Sequence, residues 1–584
     1  MPNKFENYRN IAAAIPEKAW SWNMYGAGIE NIGRNGQPEK FPVPMPNDDQ
    51  MLVRVDAVGM CFSDVKLIKQ GGAHPKLFNR DLEKNPTRLG HEAALTVIKV
   101  GKNLAGQFHP GQRLAIQPDI YQNQVNTAYG YTIPGGLTQF HLIGSEILKG
   151  DDGSYILPFE GELGYAETAL TEPWACVEAA YTQRRRLTPK EGGLMWILGQ
   201  PGDENTYTFS KGHSAPQTIV LTDVPNSLKK RILEEKSRGA KIIEANHLTP
   251  QDYPQFKAKF SEDRGFDDII VLEPLSAQLV TEAAKLIAFR GTFNLIAKQP
   301  LDGFPLIDAG RIHYHYTTYV GSSGPDISAS YGEDRNRCEL RKGGVAVFVG
   351  AGGPMGQMHV QRAIELENGP AVIIATEVND ARLAVLANRC SPLAAHRGKQ
   401  LITFNPSSAN ESTIDFVKRV TKGRGADDVV VCVPIASIME ESAKLLAADG
   451  MLVFFAGASI GTFIPVDLSG IYLHNMQLSG TSGSKLKDQS LVIQKTLAKQ
   501  LSPNLSVAAI GGMQAARDGA QAMMNGLYAG KVVIFPQLSD LPLTGLDDLH
   551  QRYPEIAEKL GAGNSWTAEA EKALIEKFWI GDQS

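Results

Sequence analysis

The chain of 584 residues has few cysteines, no long apolar run and no excess of basic charge. Its five cysteines are scattered and odd in number, which disfavours a disulfide framework and favours a reducing cytoplasm. Because no run of about 18 apolar residues occurs, we expect no membrane-spanning helix. A net charge of −5 gives no basic face for nucleic acid. The polar start MPNKFENYRN has no apolar signal core, so we expect a cytoplasmic protein.

The composition is that of a folded, multidomain protein. Hydrophobic residues make up 43% of the chain and charged residues 21%, which is enough for a packed core. A length of 584 residues accommodates three or four ordinary domains.

A duplicated segment dominates the sequence. RGFDDIIVLEP, beginning at Arg264, returns as RGADDVVVCVP, beginning at Arg424, an offset of 160 residues. Further on, Gly321 in YVGSSG corresponds to Gly480 in LSGTSG at an offset of 159. A self-match this steady predicts two copies of one domain.

Strand and helix patterns divide the chain into four segments. Residues 1–190 are rich in short strands and turns, which predicts a β-rich, barrel-like domain. Residues 191–325 and 342–500 alternate apolar strands with helices, as doubly wound parallel sheets of the Rossmann type do. The polar segment 325–341 reads as a linker between the copies. Residues 501–584 depart from this pattern and end in a helical tail.

Side chains with metal-ligand chemistry occur in three short motifs: Cys61 in GMCFSD, His91 and Glu92 in LGHEAA, and Glu172 in EPWAC. A catalytic zinc takes three protein ligands of such types and keeps one open position. The spacing alone does not favour zinc over unrelated side chains, because the motifs span more than a hundred residues. If a metal is present, Ser63 is placed to relay a proton and Asp64 to orient His91.

These motifs, in this order and ahead of a Rossmann pattern, resemble the medium-chain dehydrogenase/reductase superfamily. They are most similar to its zinc-dependent polyol branch, and within it to the sugar-phosphate dehydrogenases related to L-sorbose-1-phosphate reductase. The resemblance covers the first 190 residues, the second copy and the segment just after it. It does not extend to residues 193–341, and it covers the tail poorly.

The resemblance implies a GroES-like catalytic domain followed by Rossmann sheets. It assigns zinc binding to Cys61 and His91, completed by Glu92 or Glu172, and a proton relay to Ser63. Many members carry four closely spaced cysteines for a second, structural zinc, and this chain has none between Glu92 and Glu172. We therefore expect a single, catalytic Zn²⁺ per chain.

The second copy carries a glycine-rich turn between an apolar strand and a helix, as a pyrophosphate-binding loop requires. Its residues are Gly350, Gly352, Gly353, Pro354, Met355 and Gly356. Glu377 ends the next strand, where an acidic side chain bonds the adenosine ribose of NAD. Arg382 nearby keeps NADP open as an alternative.

The first copy has a weaker fingerprint, Gly199-Gln-Pro-Gly202-Asp203, although Asp223 still ends its second strand. We expect the second copy to bind NAD and the first to be structural. Connectivity argues the other way, since the first copy follows the catalytic domain directly. Either a homodimer or an intramolecular pseudo-dimer would cover the sheet edges, and the strands YVGSS and QLSGT are the candidates for pairing.

The resemblance therefore implies a zinc- and NAD(P)-dependent alcohol dehydrogenase acting on a sugar alcohol or sugar phosphate. Lys66, Lys76, Arg80 and Arg88 are candidate phosphate contacts or ordinary surface charges. Three tyrosines of the loop replacing the structural-zinc lobe are candidate pocket residues: Tyr121, Tyr129 and Tyr131. The alternatives are a dehydrogenase of a free polyol or small secondary alcohol, a reductase working in the opposite direction, and a non-catalytic NAD-responsive binding protein.

Overall fold

MLVRVDAVG forms the central strand of the first sheet, and every one of its residues is buried. In this computed structural model, which describes residues 3–182, 184–236 and 239–581, that sheet belongs to a mixed α/β fold with two further parallel sheets. The predicted fold class is confirmed. The N-terminal segment contains strands β1 (Lys18–Ser21), β2 (Glu39–Pro42), β3 (Met51–Gly59), β4 (Glu92–Val100), β5 (Arg113–Ile116), β6 (Tyr121–Gln122), β7 (Val125–Asn126), β8 (Phe140–Ile143) and β9 (Ile156–Phe159), and helices α1 (Lys4–Arg9), α2 (Phe62–Gln70), α3 (Ser145–Leu148), α4 (Tyr165–Ala169) and α5 (Thr171–Ala179).

The first copy forms a six-stranded parallel sheet in the order β12–β11–β10–β13–β14–β16. Its elements are β10 (Leu194–Leu198), β11 (Thr218–Thr222), β12 (Lys241–Glu244), β13 (Phe266–Leu272), β14 (Ile287–Ile296), β15 (Leu306–Asp308) and β16 (Thr318–Ser322), with α6 (Asn226–Glu235), α7 (Tyr253–Ser261), α8 (Ala277–Ala284) and α9 (Ala309–His315).

The second copy repeats this sheet in the order β19–β18–β17–β20–β21–β23. Its elements are β17 (Val345–Val349), β18 (Val372–Thr376), β19 (Gln400–Phe404), β20 (Ala426–Val431), β21 (Leu446–Phe454), β22 (Phe463–Pro465) and β23 (Gln477–Gly480), with α10 (Pro354–Glu365), α11 (Asp380–His396), α12 (Thr413–Val420), α13 (Ala436–Ala443), α14 (Ser469–His474) and α15 (Leu486–Leu497). In both sheets the strand order reverses beside the first strand, where doubly wound folds open a ligand crevice.

The two copies differ at one point that matters for cofactor binding. In the second copy, α10 follows β17 directly and begins at Pro354. In the first copy, residues 199–217 lie between β10 and β11, and this stretch, described throughout, contains no helix. The first copy therefore lacks the helix N-terminus on which a pyrophosphate would rest.

A pseudo-twofold axis relates the two copies. Strands β15 and β22 pair antiparallel, and the central pair of that ladder is Ile307 with Ile464, which occupy equivalent positions in the two copies. The flanking bonds repeat this symmetry: Ala309 N–H donates to Thr462 O, and Val466 N–H donates to Pro305 O. This isologous contact resembles the interface of a twofold dimer, here formed within one chain.

The edge strands predicted to pair, β16 and β23, do lie beside each other across this axis. No ladder joins them among the described residues, because a helix of the opposite copy packs on each strand. A Cβ on Gly321 of β16 would lie 2.8 Å from the Cβ of Tyr472 in α14. A Cβ on Gly480 of β23 would lie 3.0 Å from Ile312 Cγ2 in α9. The duplicated glycines thus allow each helix to approach the opposite sheet.

The predicted linker, residues 325–341, contributes a structural contact that the sequence did not suggest. Arg337 donates to Asp427 O and pairs with the buried Asp428. Arg186 makes the same contacts in the first copy, donating to Asp267 O and pairing with Asp268. The duplication therefore includes a short arginine segment ahead of each sheet.

The C-terminal segment returns to the N-terminal sheet. β25 pairs antiparallel with β3, and the resulting eight-stranded sheet has the order β26–β24–β25–β3–β4–β5–β9, with β8 on β3. The segment contains β24 (Val507–Gly512), β25 (Lys531–Phe535), β26 (Thr544–Gly545), α16 (Ala516–Met524), α17 (Leu549–Arg552), α18 (Pro554–Ala557) and α19 (Ala568–Phe578). These sheet memberships support the four predicted segments, whose boundaries we retain as a proposal.

The tail packs in the core that joins the catalytic sheet to the second copy. Trp566 and Leu574 are buried there with Trp174 of α5 and Phe348 of β17. Glu571 accepts the first backbone N–H groups of α4, with Tyr165 N at 2.6 Å and Ala166 N at 2.8 Å. Within the described ranges, no helix has both the length and the apolar character needed to cross a membrane.

Candidate active site

Two adjacent antiparallel strands bring the metal-type donors together. β3 ends at Gly59, and β4 begins at Glu92, which pairs with Gly59 across the ladder. Cys61 immediately precedes α2, and Asp64 Oδ2 accepts the Cys61 backbone N–H at 2.9 Å. A Cβ on Gly59 would lie 2.1 Å from Glu92 Oε2. Glycine is therefore needed here to leave room for the carboxylate.

Cys61, His91 and Glu92 form a compact donor cluster. One ligand atom from each of these side chains lies within 4.8 Å of the others. His91 Nδ1 lies 3.2 Å from Asp64 Oδ1, which orients the ring, and His91 Nε2 lies 3.3 Å from Ser63 Oγ. The arrangement supplies a sulfur, a nitrogen and an oxygen donor, the ligand types that zinc prefers.

Lys531 is a site residue that the sequence reasoning missed. Its Nζ donates to Glu92 Oε1, and both side chains are almost fully buried. Burial alone would lower the pKa of Lys531, but the charges of Glu92, Cys61 and Glu172 raise it above its ordinary value. Lys531 is the first residue of β25 and is separated from Glu92 by 439 residues, so no local pattern could have linked the two.

Glu172 lies beside the cluster rather than within the three-donor set. Burial raises its pKa to about 7, the positive charge of His91 opposes this, and the carboxylate of Glu92 adds to it. Glu172 Oε1 lies 3.8 Å from the sulfur of Cys176, one turn further along α5. This carboxyl group is close enough to act on the cluster electrostatically, and it is the second-nearest acidic candidate for a metal.

The four candidate phosphate contacts are not equivalent. Lys76 Nζ lies 2.6 Å from Asp119 Oδ1 and is already paired. Arg80 donates to the backbone carbonyls of Asn85, Pro86 and Thr132, so it holds the surrounding loop. Arg88 is buried, donates to Gly135 O and lies 3.0 Å from His141 Nδ1. Lys66, on the exposed face of α2, makes no ion pair with any described carboxylate.

Of the three candidate pocket tyrosines, only Tyr131 adjoins the cluster. Its ring centroid lies 5.8 Å from that of His91, and Lys76 Nζ lies 4.8 Å from the same ring. Tyr129 is buried against His141, and Tyr121 lies in a short hairpin with 42% of its surface exposed.

The glycine-rich turn of the second copy has the geometry of a close-approach loop. Gly350 has φ +76°, a conformation that favours glycine. A Cβ on Gly352 would lie 2.5 Å from Glu377 Oε2, and a Cβ on Gly356 would lie 2.4 Å from Gly350 O. Gly353 caps α10, and Pro354 and Met355 are its first residues. The turn thus leaves backbone N–H groups at a helix N-terminus free of side-chain obstruction.

Glu377 and Arg382 lie at the rim of this turn. The Glu377 carboxylate accepts the Gly352 N–H at 3.0 Å and the N–H groups of Val378 and Asn379. Arg382 donates to Gly526 O at 3.3 Å, so its guanidinium is directed toward the C-terminal segment.

The second copy docks directly on the catalytic domain. Arg362 of α10 pairs with Glu178 of α5 at 3.0 Å, and both side chains are buried. Tyr181 Oη lies 2.6 Å from His359 Nδ1 across the same contact. Although the first copy comes earlier in the chain, the second copy occupies the position against the catalytic helix.

The first copy also reaches this cleft, through residues that the sequence reasoning missed. His313 Nδ1 lies 3.2 Å from Phe454 O, at the carboxyl end of β21, where ligands bind in such sheets. A Cβ on Gly457 would lie 2.3 Å from Tyr314 Oη. Tyr316 Oη donates to Ser482 O at 2.6 Å. In contrast, Asp203 of the degenerate turn is bonded to its own loop through Tyr207 Oη at 2.6 Å.

The fold and the donor cluster define an oxidoreductase of the alcohol dehydrogenase class, acting on CH–OH groups. Residues 47–177 match the alcohol dehydrogenase GroES-like domain. The sorbitol dehydrogenase of Gallus gallus is 42% identical over 296 residues, which are 46% of this chain and 75% of that protein. The L-sorbose 1-phosphate reductase of Klebsiella pneumoniae is 29% identical over 308 residues, which are 49% of this chain and 72% of that protein.

A solved structure agrees at the level of the fold. The 2R,3R-butanediol dehydrogenase from Bacillus subtilis superposes with a TM-score of 0.50 at 13% identity, covering 89% of this chain and 99% of that one. With these relatives, the chain belongs to the medium-chain dehydrogenase/reductase superfamily, in its alcohol and polyol dehydrogenase branch.

Proposed function

We propose that this chain is a zinc-dependent, NAD-linked dehydrogenase that interconverts a secondary alcohol and a ketone of a sugar alcohol or sugar phosphate. The observation that carries the proposal is the cluster of Cys61, His91 and Glu92, whose ligand atoms lie within 4.8 Å of one another. A structural or binding protein has no need for such a set at the foot of a dinucleotide cleft.

The chemistry of the cluster fits zinc. Its sulfur, imidazole and carboxylate donors are the types found in catalytic zinc sites. Glu92 Oε2 is buried and has no hydrogen-bond partner among the described residues, a costly state that a cation would relieve. Bound there, zinc would act as a Lewis acid toward an alcohol or carbonyl oxygen. We propose Cys61, His91 and Glu92 as ligands, with Glu172 as the neighbouring carboxylate that completes the site.

The surrounding residues have distinct proposed roles. Asp64 fixes the ring of His91 through Nδ1, so that Nε2 faces the cluster. Ser63 Oγ lies 3.3 Å from that Nε2, a position from which a hydroxyl can pass a proton from substrate toward solvent. Lys531 holds one oxygen of Glu92 and leaves the other available.

We propose that the second copy holds the nicotinamide cofactor, which would accept or donate the hydride. The support is the open turn Gly350–Gly356 at the start of α10, together with the absence of any helix in residues 199–217 of the first copy. Glu377 lies at the end of β18, where a carboxylate bonds an adenosine ribose and repels a 2′-phosphate, which favours NAD over NADP.

Lys66 is the proposed contact for a substrate phosphate. It is exposed, and its positive charge contributes to lowering the pKa of both His74 and His313, so it lies between the catalytic domain and the first copy. The other candidate cations are paired with a carboxylate or with backbone carbonyls.

The first experiment is NADH formation by zinc-loaded protein across matched polyols and polyol phosphates. Turnover restricted to phosphorylated substrates supports the sugar-phosphate function, and Lys66→Met should then raise KM with little change in kcat. Turnover of free polyols alone moves the protein to the sorbitol dehydrogenase side. If no substrate is turned over, the activity proposal is wrong and an NAD-binding role is favoured.

The zinc part of the proposal has its own test. Metal analysis should find one zinc per chain, and Cys61→Ser should lose both the zinc and turnover while NAD binding persists. Cys432→Ser is the matched control, because that thiol lies at the end of β20 and outside the donor cluster. Activity that survives Cys61→Ser would contradict the zinc mechanism.

A further inference from the structure

A cavity of about 290 Å³ lies at the seam between the two copies, away from the donor cluster. Its walls come from α8, from β15 and the segment that follows α9 in the first copy, and from Phe463 of β22 in the second. It therefore adjoins the β15–β22 ladder, which forms the pseudo-twofold contact.

The polar groups of the cavity leave one cation without an anionic partner. Arg311 Nε donates to His315 Nδ1 at 3.2 Å, and Nη2 donates to Ile287 O, but no described carboxylate lies within 4.0 Å of the guanidinium. Asp308 is already satisfied by the N–H groups of Arg311 and Gly461. Lys285 is paired with Glu282 at 2.7 Å.

An unsatisfied hydroxyl faces the same space. Thr317 is 4% exposed and lines the cavity, and its Oγ1 has no hydrogen-bond partner among the described residues. A buried hydroxyl without a partner is costly, so its persistence points to a ligand that completes it.

The second copy provides an internal comparison. At an offset of 159 residues, Arg311 corresponds to Gly470 and Thr317 to Met476. In the second copy, the Met476 sulfur occupies the space beside Gly470, at 2.1 Å from where a Cβ would lie. The same place in the duplicated fold is thus filled by an apolar side chain in one copy and is open and polar in the other.

We propose that this cavity binds a small organic monocarboxylate. The planar guanidinium of Arg311 matches a carboxylate in a two-bond geometry, and Thr317 Oγ1 can donate a third bond. Ala284, Leu306 and Phe463 supply an apolar wall for the rest of the ligand. A phosphate dianion fits less well, because Asp308 carries a negative charge in the same cavity and Lys285 is already paired.

The test is calorimetric titration of the zinc-loaded protein with benzoate and with butyrate, using inorganic phosphate for comparison. We expect saturable binding of a carboxylate at one site per chain. Binding should weaken roughly tenfold or more in Arg311→Met. It should disappear in Thr317→Met, which introduces the residue of the second copy. Arg264→Met removes an exposed arginine of the same copy and should leave binding unchanged.

Two further arms separate this cavity from the donor cluster. Binding must persist in Cys61→Ser, since carboxylates also bind catalytic metals, and its loss there would overturn the proposal. Absence of saturable binding to the unmodified protein, equal affinity in Arg311→Met, or a preference for phosphate would each overturn it. If Arg311→Met does not fold, Thr317→Met carries the same decision.

Discussion

Lys531 and Glu92 form a buried ion pair between the last strand added to the catalytic sheet and the strand that carries the donor cluster. The side chains are 2% and 0% exposed. One carboxylate oxygen of Glu92 accepts from the ammonium, and the other has no partner among the described residues. The C-terminal segment therefore sets the charge balance of a site whose other members come from the first 172 residues.

Replacing Lys531 by Met should destabilise the zinc-free protein by about 3–5 kcal/mol, because it leaves a carboxylate buried without its cation. The loss should be smaller in the zinc-loaded protein, since the metal supplies positive charge beside Glu92. Urea unfolding of both forms measures the difference. Lys495→Met is the matched control, because its partner Glu178 retains Arg362. Equal losses with and without zinc would contradict this view of the site.

Glu377→Gln should shift cofactor preference toward NADP. Without the negative charge, the rim of the turn no longer repels a 2′-phosphate, and a bond to the ribose is weakened. We expect the ratio of kcat/KM for NADP to that for NAD to rise roughly tenfold or more. Asp223→Asn changes the equivalent position of the first copy and should leave the ratio unaltered. A change caused by Asp223→Asn instead would assign the cofactor to the first copy.

Gly321→Val should weaken the contact between the copies. Its new side chain would meet Leu295 O and the Cβ of Tyr472, both below 3 Å, and neither can withdraw easily. Overpacking of this kind costs about 1–3 kcal/mol, which urea unfolding can resolve. Gly106→Val is the control, because open space surrounds that position. A Gly321→Val protein as stable as the control would show that α14 does not pack on β16 in solution.

The stability of the protein should depend on pH through Glu167. Burial raises the pKa of this carboxyl to about 7, with Glu571 adding to the rise and the Gly164 N–H opposing it. A folded-state pKa above the unfolded value means that the folded state holds the proton more tightly. Its contribution is therefore full below the unfolded value near 4.5 and is lost as pH rises through about 7.

Glu167→Gln should remove this dependence, since a neutral amide can still accept the Gly164 N–H. Urea unfolding at pH 5 and at pH 8 should find the variant more stable relative to the parent protein at the higher pH. A difference that stays constant across this range would contradict the shifted pKa.

Some of this molecule follows from sequence alone. Apolar runs such as LMWIL and VAVFV form the first strands of the two sheets, because a strand buried on both faces has no polar alternation to maintain. The steady offset between the copies identified the duplication, and the three short motifs named the donors. These signals are local, and each is readable within a dozen residues.

The tertiary structure decided the rest. It brought Lys531 to Glu92 and His313 to Phe454, over separations of 439 and 141 residues. It joined the copies through β15 and β22 instead of the edge strands, since packed helices occupy that space. It also placed the second copy, rather than the first, against the catalytic helix α5. Sequence periodicity specifies which face of an element is buried, but not which distant element covers it; that choice depends on complementary shape and charge in the folded chain.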